Sequence, residues 1–369
     1  MKRRYEAAEI LLEVSRTISS SLDLDKVVDL VLKESIKALG ADHASLFLMD
    51  EEFGKLVLEK VRGFSKDEIG NIKLLASWEM INDQLMKRRK PICINDIYVN
   101  RIFRAKRLPF SHERLPIKSF IAVPLTKEDK TVGVLMVSKK DRPGHLFTAE
   151  DEKLLSALSS NVAVALLNAK LHRNLKNLFI STVKSLVRAV EAKDPYTSGH
   201  SERVMRYSVA IGRELKEDNE FMENLGLSSI LHDVGKIGIR EGILSKPGIL
   251  NEEERSEIRK HPAIGVRIVE TIKDSKSITT GILDHHERFD GSGYPNGLKG
   301  KKISLDGRII AVADTFDALT TDRPYQNGRS PKEAVFEILR AHSQYDPKVV
   351  KAFLKSFSKY PGIWKAENA

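Results

Sequence analysis

The chain has 369 residues, of which 41% are apolar and 30% are charged, and its formal net charge at pH 7 is +10. This composition excludes a disordered or fibrous protein, and the length predicts two domains. The N-terminus is charged, and no run approaches the roughly 18 consecutive apolar residues that a membrane span needs. We therefore expect a cytoplasmic protein without a membrane span. The single cysteine, Cys93, cannot build a disulfide framework or a thiolate zinc site, so any metal must be held by imidazole and carboxylate groups.

Helical and strand-like patterns alternate over residues 1–150. Apolar residues at helical spacing predict a helical segment over 5–39, which is interrupted near Ser20 and Ser21, restarts with a cap at Asp23 or Asp25 and stops at Gly40. Strands are predicted at 44–49, 56–61, 120–125 and 132–137, with a helix at 74–87 and a polar hairpin turn at 127–130. The order predicts an α+β sensor domain, an antiparallel sheet with flanking helices.

The segments 22–27, 40–47, 121–125 and 132–137 resemble those of a GAF domain, over roughly residues 10–168. The resemblance implies a sensor domain that takes a small molecule, whose identity the sequence leaves unknown.

A basic cluster lies within this domain. Between Lys87 and Lys118 there are ten Lys and Arg residues against two acidic ones, Asp96 and Glu113. Such a cluster could attract nucleic acid, acidic lipid or an anionic ligand. Because no nucleic-acid-binding motif accompanies it, we favour a solvated surface and expect no nucleic-acid partner.

The segment between Gly144 and Pro195 contains neither glycine nor proline. Apolar or small residues recur at helical spacing, at positions 155, 158, 162, 165 and 169 and again at 179, 183, 186 and 190. They predict one connector helix over residues 151–192, which could run about 65 Å. A stripe of this length predicts a parallel homodimer through the connector. The alternative is two core helices broken near His172.

Residues 193–369 carry histidines and aspartates in separate helix-like segments, which predicts an all-α bundle that brings them together. The candidates are His200, His232, Asp233, His261, His285, His286 and Asp314. A lone core histidine is often merely hydrogen-bonded, but adjacent His232 and Asp233 in an apolar stretch are costly to bury unless something pairs with them. Such a donor set suits two six-coordinate ions, and it favours iron, or alternatively manganese, over zinc.

Five blocks of this region resemble, in order and spacing, the HD-GYP subgroup of HD-domain phosphohydrolases, over about residues 180–360. They are 194–201, 232–237, 261–262, 285–295 with the Gly293, Tyr294 and Pro295 signature, and 313–325. The resemblance implies hydrolysis of cyclic di-GMP to linear pGpG, with GMP as the alternative end product. It also implies that His200, His232, Asp233 and Asp314 hold one ion, and that Asp233 bridges to a second ion held by His261, His285 and His286.

The expected reaction is attack on phosphorus by a hydroxide that bridges the two ions. Lys236, three residues after Asp233, would stabilise the developing phosphoryl charge, unless it is only a charge at a helix end. Arg323 resembles the family's substrate-phosphate arginine, unless it is a surface residue beside a proline turn. The loop 288–300, with Gly293, Tyr294 and Pro295, would close over the guanine, and Asp194 is a further candidate substrate contact. Asp317 either orients a metal ligand or contacts substrate.

Two other functions are also compatible with the sequence. The chain could hydrolyse another nucleotide or cyclic dinucleotide, or it could be a non-catalytic nucleotide-binding scaffold.

Some relatives that this region resembles hold three ions and use a glutamate four residues before the first histidine ligand. Here that position is Tyr196, whose neutral phenol is a poor ligand at neutral pH. We therefore expect two ions per chain.

Overall fold

The structure is a computed structural model. It describes residues 23–50, 53–66, 68–69, 82–99, 117–128, 130–140, 146–193, 199–246, 248–273, 275–322 and 327–364. The chain divides into two compact units, Met1–Leu178 and Phe179–Ala369. This division falls inside a helix, so the predicted domain boundaries at 150 and 192 stay a prediction.

The first unit is a five-stranded antiparallel sheet with helices on one face. Its elements are α1 (Leu24–Leu39), β1 (His43–Asp50), β2 (Lys55–Arg62), a π-helical turn (Asn82–Lys87), β3 (Ile92–Ile94), β4 (Ser119–Lys127) and β5 (Lys130–Lys139). The strand order is β2-β1-β5-β4-β3. The Asp23 carboxylate caps the N-terminus of α1, and Gly40, with φ of 55°, ends the helix in the left-handed region.

Side chains alternate between the two faces of this sheet. Ala44 and Leu46 of β1 pack in one core with α1, whereas Phe47 belongs to a second core on the opposite face. The predicted α+β architecture and four strands are confirmed. β3 was missed because three residues after Pro91 are too short for a periodic signal. The predicted helices at 5–39 and 74–87 extend beyond the described residues, as does much of the basic cluster.

The helix α2 (Ala149–Glu191) is continuous through 43 residues, so the alternative of a break near His172 is wrong. Its first part contributes Leu155, Leu158 and Leu166 to the core of the first unit. Its last turns contribute Val187 and Val190 to a core of the second unit. The absence of glycine and proline over this stretch accounts for the unbroken hydrogen-bond ladder.

Among the described residues, α2 is also the one helix whose length and apolar composition would suffice to cross a membrane. Its most apolar window is 44% buried inside the protein, and its apolar side chains there form part of a core. Packing therefore accounts for part of this hydropathy. The absence of a membrane span and the cytoplasmic location stay predictions.

The second unit is a helical bundle. After α2 come α3 (His200–Leu215), α4 (Asn219–Leu231), a 3₁₀ turn (Val234–Gly238), α5 (Glu241–Leu244), α6 (Glu252–Ile258), α7 (His261–Val269), α8 (Lys276–Asp284), a 3₁₀ turn (Gly300–Lys302), α9 (Leu305–Thr320), α10 (Pro331–Arg340), a 3₁₀ turn (His342–Gln344) and α11 (Pro347–Lys359). The predicted all-α bundle is confirmed.

An aromatic cluster holds α3, α9 and α11 together. Trp364, which is 1% exposed, stacks on Tyr207 with 4.7 Å between ring centroids. It also meets Phe316 edge-on at 5.1 Å and Phe353 at 5.0 Å. This cluster lies beneath the helices that carry His200 and Asp314, so it fixes the spacing of these two side chains.

We expect Trp364→Ala to lower the free energy of unfolding of the second unit by about 3–5 kcal/mol, because it leaves a cavity where three aromatic rings meet. Urea denaturation measured by circular dichroism tests this. Trp364→Phe is the control, since it keeps a ring in the stack and should cost less. Equal stability of wild type and Trp364→Ala would contradict the role of the cluster.

Candidate metal centre

The candidate ligands lie at helix ends and on one central helix. His200 is the first residue of α3, and His261 is the first residue of α7. His232 and Asp233 follow the C-terminus of α4, and His285 and His286 follow α8 in the same way. Asp314 projects from α9. The bundle brings all seven together, although they are spread over more than 100 residues of sequence.

The first group of side chains surrounds His200. Its Nε2 lies 3.3 Å from Nε2 of His232, 3.3 Å from Oδ1 of Asp314 and 3.8 Å from Oδ2 of Asp233. The Nε2 of His232 lies 3.4 Å from the same Asp233 oxygen. Four candidate ligand atoms from three segments of the chain therefore face one point.

The second group surrounds His261. Its Nε2 lies 3.2 Å from Nε2 of His285 and 3.2 Å from Oδ1 of Asp233. His286 completes this group, and its ring centroid lies 5.0 Å from that of His261. Asp233 thus offers one oxygen to each group. This geometry is the one that a carboxylate adopts between two adjacent cations.

Hydrogen bonds on the far side of the rings fix their tautomers. The Nδ1 atoms of His232, His261 and His285 each lie 2.7 Å from the backbone carbonyl three residues earlier, those of Ser229, Ile258 and Ile282. A carbonyl can only accept, so each Nδ1 carries the proton and donates it. Each Nε2 then presents a lone pair to the centre. The lone pairs of His261 and His285, whose Nε2 atoms are 3.2 Å apart, repel one another unless a cation lies between them, so the donor set fits divalent ions.

Burial keeps the imidazoles of His285 and His286 neutral. Desolvation, with the neighbouring histidines, holds the pKa of His285 well below its ordinary value and lowers that of His286 to about 3. Burial alone would raise the pKa of Asp233, but Lys236 and the adjacent histidines outweigh it and hold that pKa well below its usual range. Neutral imidazoles around an ionised carboxylate are the protonation states that metal binding requires.

Asp317 lies one turn beyond Asp314 on α9, behind His200. Its Oδ2 accepts a hydrogen bond of 2.8 Å from Nδ1 of His200, and its Oδ1 accepts one of 2.7 Å from Nε of Arg203. The Asp317 side chain is 2% exposed. These contacts favour the first of the two roles that the sequence left open, which is to orient a ligand.

Lys236 contacts the centre directly. Its Nζ lies 2.7 Å from Oδ2 of Asp233. The segment is a 3₁₀ turn, in which residues i and i+3 eclipse one another, so Lys236 lies over Asp233. Gly235 lies between them and has no room for a side chain, since an added Cβ would lie 1.9 Å from the carbonyl oxygen of His261.

The loop after α8 places Tyr294 against the centre. Its ring stacks on His286 with 4.7 Å between centroids. Gly293 makes this possible, because a Cβ there would lie 2.3 Å from the backbone nitrogen of Arg288. The buried Glu287 carboxylate holds the loop by accepting hydrogen bonds from the backbone N–H groups of Asn296 and Leu298, at 2.7 and 2.9 Å. The following Pro295 belongs to the same loop.

Family matches divide the chain in the order that the structure shows. A GAF domain matches residues 21–167, and an HD domain matches residues 184–349. The cyclic di-GMP phosphodiesterase response regulator RpfG of Xanthomonas campestris is 33% identical over 68% of this chain and 70% of its own length. This chain belongs to the HD-GYP subgroup of the HD domain family.

Two further relatives of this HD domain differ in their named substrates. A cyclic di-GMP phosphodiesterase of Pseudomonas aeruginosa is 39% identical over 48% of this chain and 43% of its own length. A 3'3'-cGAMP-specific phosphodiesterase of Vibrio cholerae is 35% identical over 58% of this chain and 47% of its own length. The chain therefore spans about half the length of these two relatives.

Some predicted residues of the HD domain lie outside the described residues. These are Asp194, Tyr196 and Arg323. Conversely, sequence reasoning missed Arg203 and the roles of Glu191 and Glu287, whose partners are distant in sequence or are backbone atoms. Arg259 was missed too, and its guanidinium lies 5.7 Å from the ring centroid of Tyr294. Of these four residues, Arg203 alone left a signal in the sequence, because it lies about one helical turn after the candidate ligand His200.

In the metal-free HD domain we expect Asp317→Asn to lower the pKa of His200. Burial opposes the charged form of His200, but Asp314 and Asp317 outweigh burial and raise its pKa to about 10. Removing one of these carboxylates should shift the pKa towards its ordinary value, as seen by NMR titration of the imidazole Cε1–H. The matched control is Asp306→Asn on the same helix, where the carboxylate bonds Thr280 instead. An unchanged His200 titration would refute the orienting contact.

Proposed function

We propose that this protein is a metal-dependent phosphodiesterase that hydrolyses cyclic di-GMP to linear pGpG, under the control of its GAF domain. The observation that carries the proposal is Asp233, whose two carboxylate oxygens face two separate groups of imidazoles at 3.2–3.8 Å. A carboxylate shared in this way could help to hold two adjacent metal ions, an arrangement that suits hydrolysis of a phosphodiester by displacement at phosphorus. Relatives that are named for this activity support the substrate.

We propose two divalent ions per chain, iron first and manganese as the alternative. His200, His232, Asp314 and Asp233 would hold one, and His261, His285, His286 and Asp233 the other. Bound there, the ions would activate water as a nucleophile and neutralise phosphate charge. A third ion would need a further carboxylate near His200. Glu191 lies near the start of α3, but both of its carboxylate oxygens accept hydrogen bonds from backbone N–H groups. That engagement supports two ions and not three.

Four further residues are proposed to bind substrate or to stabilise the transition state. The Lys236 ammonium, 2.7 Å from Asp233, is placed to stabilise the negative charge that grows on the phosphoryl oxygens. Tyr294, stacked on His286, offers an aromatic wall for a guanine base. Arg323 is proposed to grip a substrate phosphate and Asp194 to contact substrate, on the strength of the family motif alone.

The second candidate function is hydrolysis of 3'3'-cGAMP, because a relative specific for that dinucleotide matches this chain at 35% identity. A panel of cyclic di-GMP, 3'3'-cGAMP and linear pGpG, assayed anaerobically with iron- or manganese-loaded protein, separates the two. Preference for cyclic di-GMP supports the first proposal, and turnover of pGpG makes GMP the end product. No turnover of any of them by metal-loaded protein would favour a non-catalytic scaffold.

For the GAF domain we propose a small-molecule ligand on the sheet face opposite α1. His43 and Ser45 lie on that face of β1, and His43 stacks on Phe64 at 4.1 Å. Within the part of the chain that the structure describes, His43 Nε2 and Ser45 Oγ are buried and have no hydrogen-bond partner. Buried polar atoms without a partner are rare and call for one, which a ligand would provide.

We expect Asp233→Ala to lose both ions and all turnover, because this carboxylate belongs to both groups. We expect Lys236→Ala to keep both ions and lose turnover by about 10²- to 10³-fold, the usual cost of one electrostatic contact to a transition state. Elemental analysis and a cyclic di-GMP assay measure the two quantities. Full activity in Lys236→Ala would remove Lys236 from the mechanism, and three ions in the wild type would refute the two-ion site.

We also propose that the chain forms a homodimer through α2. Leu171, Leu175 and Leu178 are 56%, 67% and 64% exposed within one chain and follow one another at helical spacing. Three leucines on one exposed helix face are costly in water and would be buried by a second copy of the same helix. Leu166, earlier on the same helix, is 2% exposed in the core of the first unit and is therefore not part of the proposed interface.

Leu175→Glu should weaken the dimer without unfolding either unit, because it places a charge in the exposed stripe. Light scattering after gel filtration at micromolar concentration measures the mass. The matched control is Asn177→Glu, an equal charge on the opposite face of the same helix. A wild type that is monomeric under these conditions would rule the interface out.

A further inference from the structure

The end of α2 is tied to the start of α3 by one side chain. Glu191 is the last residue of α2, and its Oε2 accepts a hydrogen bond of 3.0 Å from the backbone N–H of Gly199. Its Oε1 accepts one of 2.9 Å from the backbone N–H of Ser201. His200, a candidate ligand, lies between these two amides. Glu191 therefore holds the backbone on both sides of His200.

The start of α3 has no side-chain cap of its own. Its N-cap residue is Gly199, with φ of 69°, and no side-chain hydrogen bond caps the helix from that position. The first N–H groups of a helix need acceptors and favour negative charge. A carboxylate from another helix supplies both here, so the conformation around His200 depends on where α2 ends.

Further contacts join the last turns of α2 to the same region. Glu202 of α3 accepts from Arg188 at 2.9 Å and from Lys184 at 3.5 Å. On the other face, Val187 and Val190 pack in one core with Leu231 and Val234, the residues that flank His232 and Asp233 in sequence. The end of α2 thus contacts two of the three segments that carry the first group of candidate ligands.

We propose that Glu191 is a positioning residue that holds His200 in the metal centre, so that the end of α2 sets the affinity for the ion of the first group. This inference rests on the proposed metal-dependent function. The His200 ring is held from the opposite side by Asp317 of α9. Backbone and ring are therefore fixed from two different helices. Because α2 continues from the core of the GAF domain, a shift of this helix has a direct route to one ligand.

Loss of Glu191 should weaken metal binding and not abolish it. Asp317 still orients the His200 ring, but the backbone that carries it is released. Substitutions of residues that support ligands from behind typically cost about 10- to 100-fold in metal affinity. Since Glu191 acts one step further away, on the backbone, we expect about 10-fold for Glu191→Ala. Glu191→Gln keeps one acceptor oxygen, so it should restore part of the loss.

The experiment compares wild type, Glu191→Ala, Glu191→Gln and the control Glu333→Ala. Glu333 is a carboxylate that likewise accepts a backbone N–H at a helix start, that of Ser330 at 2.8 Å, but it lies on α10. Hydrogen exchange of a peptide covering residues 199–203 is followed in metal-free protein. Manganese binding is measured by calorimetry and by the electron paramagnetic resonance of bound and free ion.

We expect Glu191→Ala to expose the amides of Gly199 and Ser201 to exchange and to weaken one of two manganese sites about 10-fold, with partial recovery in Glu191→Gln. Glu333→Ala should change neither quantity. Equal manganese affinities in all four proteins, with faster exchange in Glu191→Ala, would make Glu191 a helix cap only and overturn the proposal. Loss of a whole ion from a three-ion wild type would overturn it too, since Glu191 would then be a ligand. Neither readout needs turnover, so an inactive but metal-binding wild type would refute the proposed activity alone.

Discussion

The second unit is organised around the ion pair and imidazole contacts of Asp233. Its carboxylate is 13% exposed, yet it stays ionised because Lys236 and three histidines surround it. Burying a charge in this way is favourable only if every partner is in place. The helices must therefore end where they do. α3 and α7 begin on a histidine, and α4 and α8 end just before one, so four helix ends point at one carboxylate.

This requirement explains several glycines and aromatic residues that do not touch the centre. Gly235 and Gly293 permit backbone contacts at distances that no other residue allows. Trp364 and its ring neighbours hold α3 at a fixed spacing from α9, and so hold His200 beside Asp314. The site is thus supported by a rigid bundle and not by flexible loops, which is the arrangement that keeps ligand geometry within a fraction of an ångström.

The sequence predicted what is periodic or local. Alternating patterns located β1, β2, β4 and β5, and the glycine- and proline-free stretch located α2. The adjacent pair His232 and Asp233 was a local signal of the site, since two polar groups in an apolar segment need partners. Contacts between backbone and distant side chains left no such pattern. Glu191 and Glu287 each accept hydrogen bonds from backbone atoms that sequence spacing cannot locate, because the tertiary fold alone brings the partners together.

The hydrogen bonds from imidazole Nδ1 to backbone carbonyls have a consequence for metal selection. His232, His261 and His285 are each fastened to their own helix end, three residues back along the chain. Their orientation is therefore settled when the bundle folds, and little conformational entropy is left to lose when an ion arrives. A cavity prepared in this way, lined with nitrogen and carboxylate oxygen, would distinguish iron from manganese little by rearrangement. The choice between the two proposed ions would then be governed by their supply in the cell.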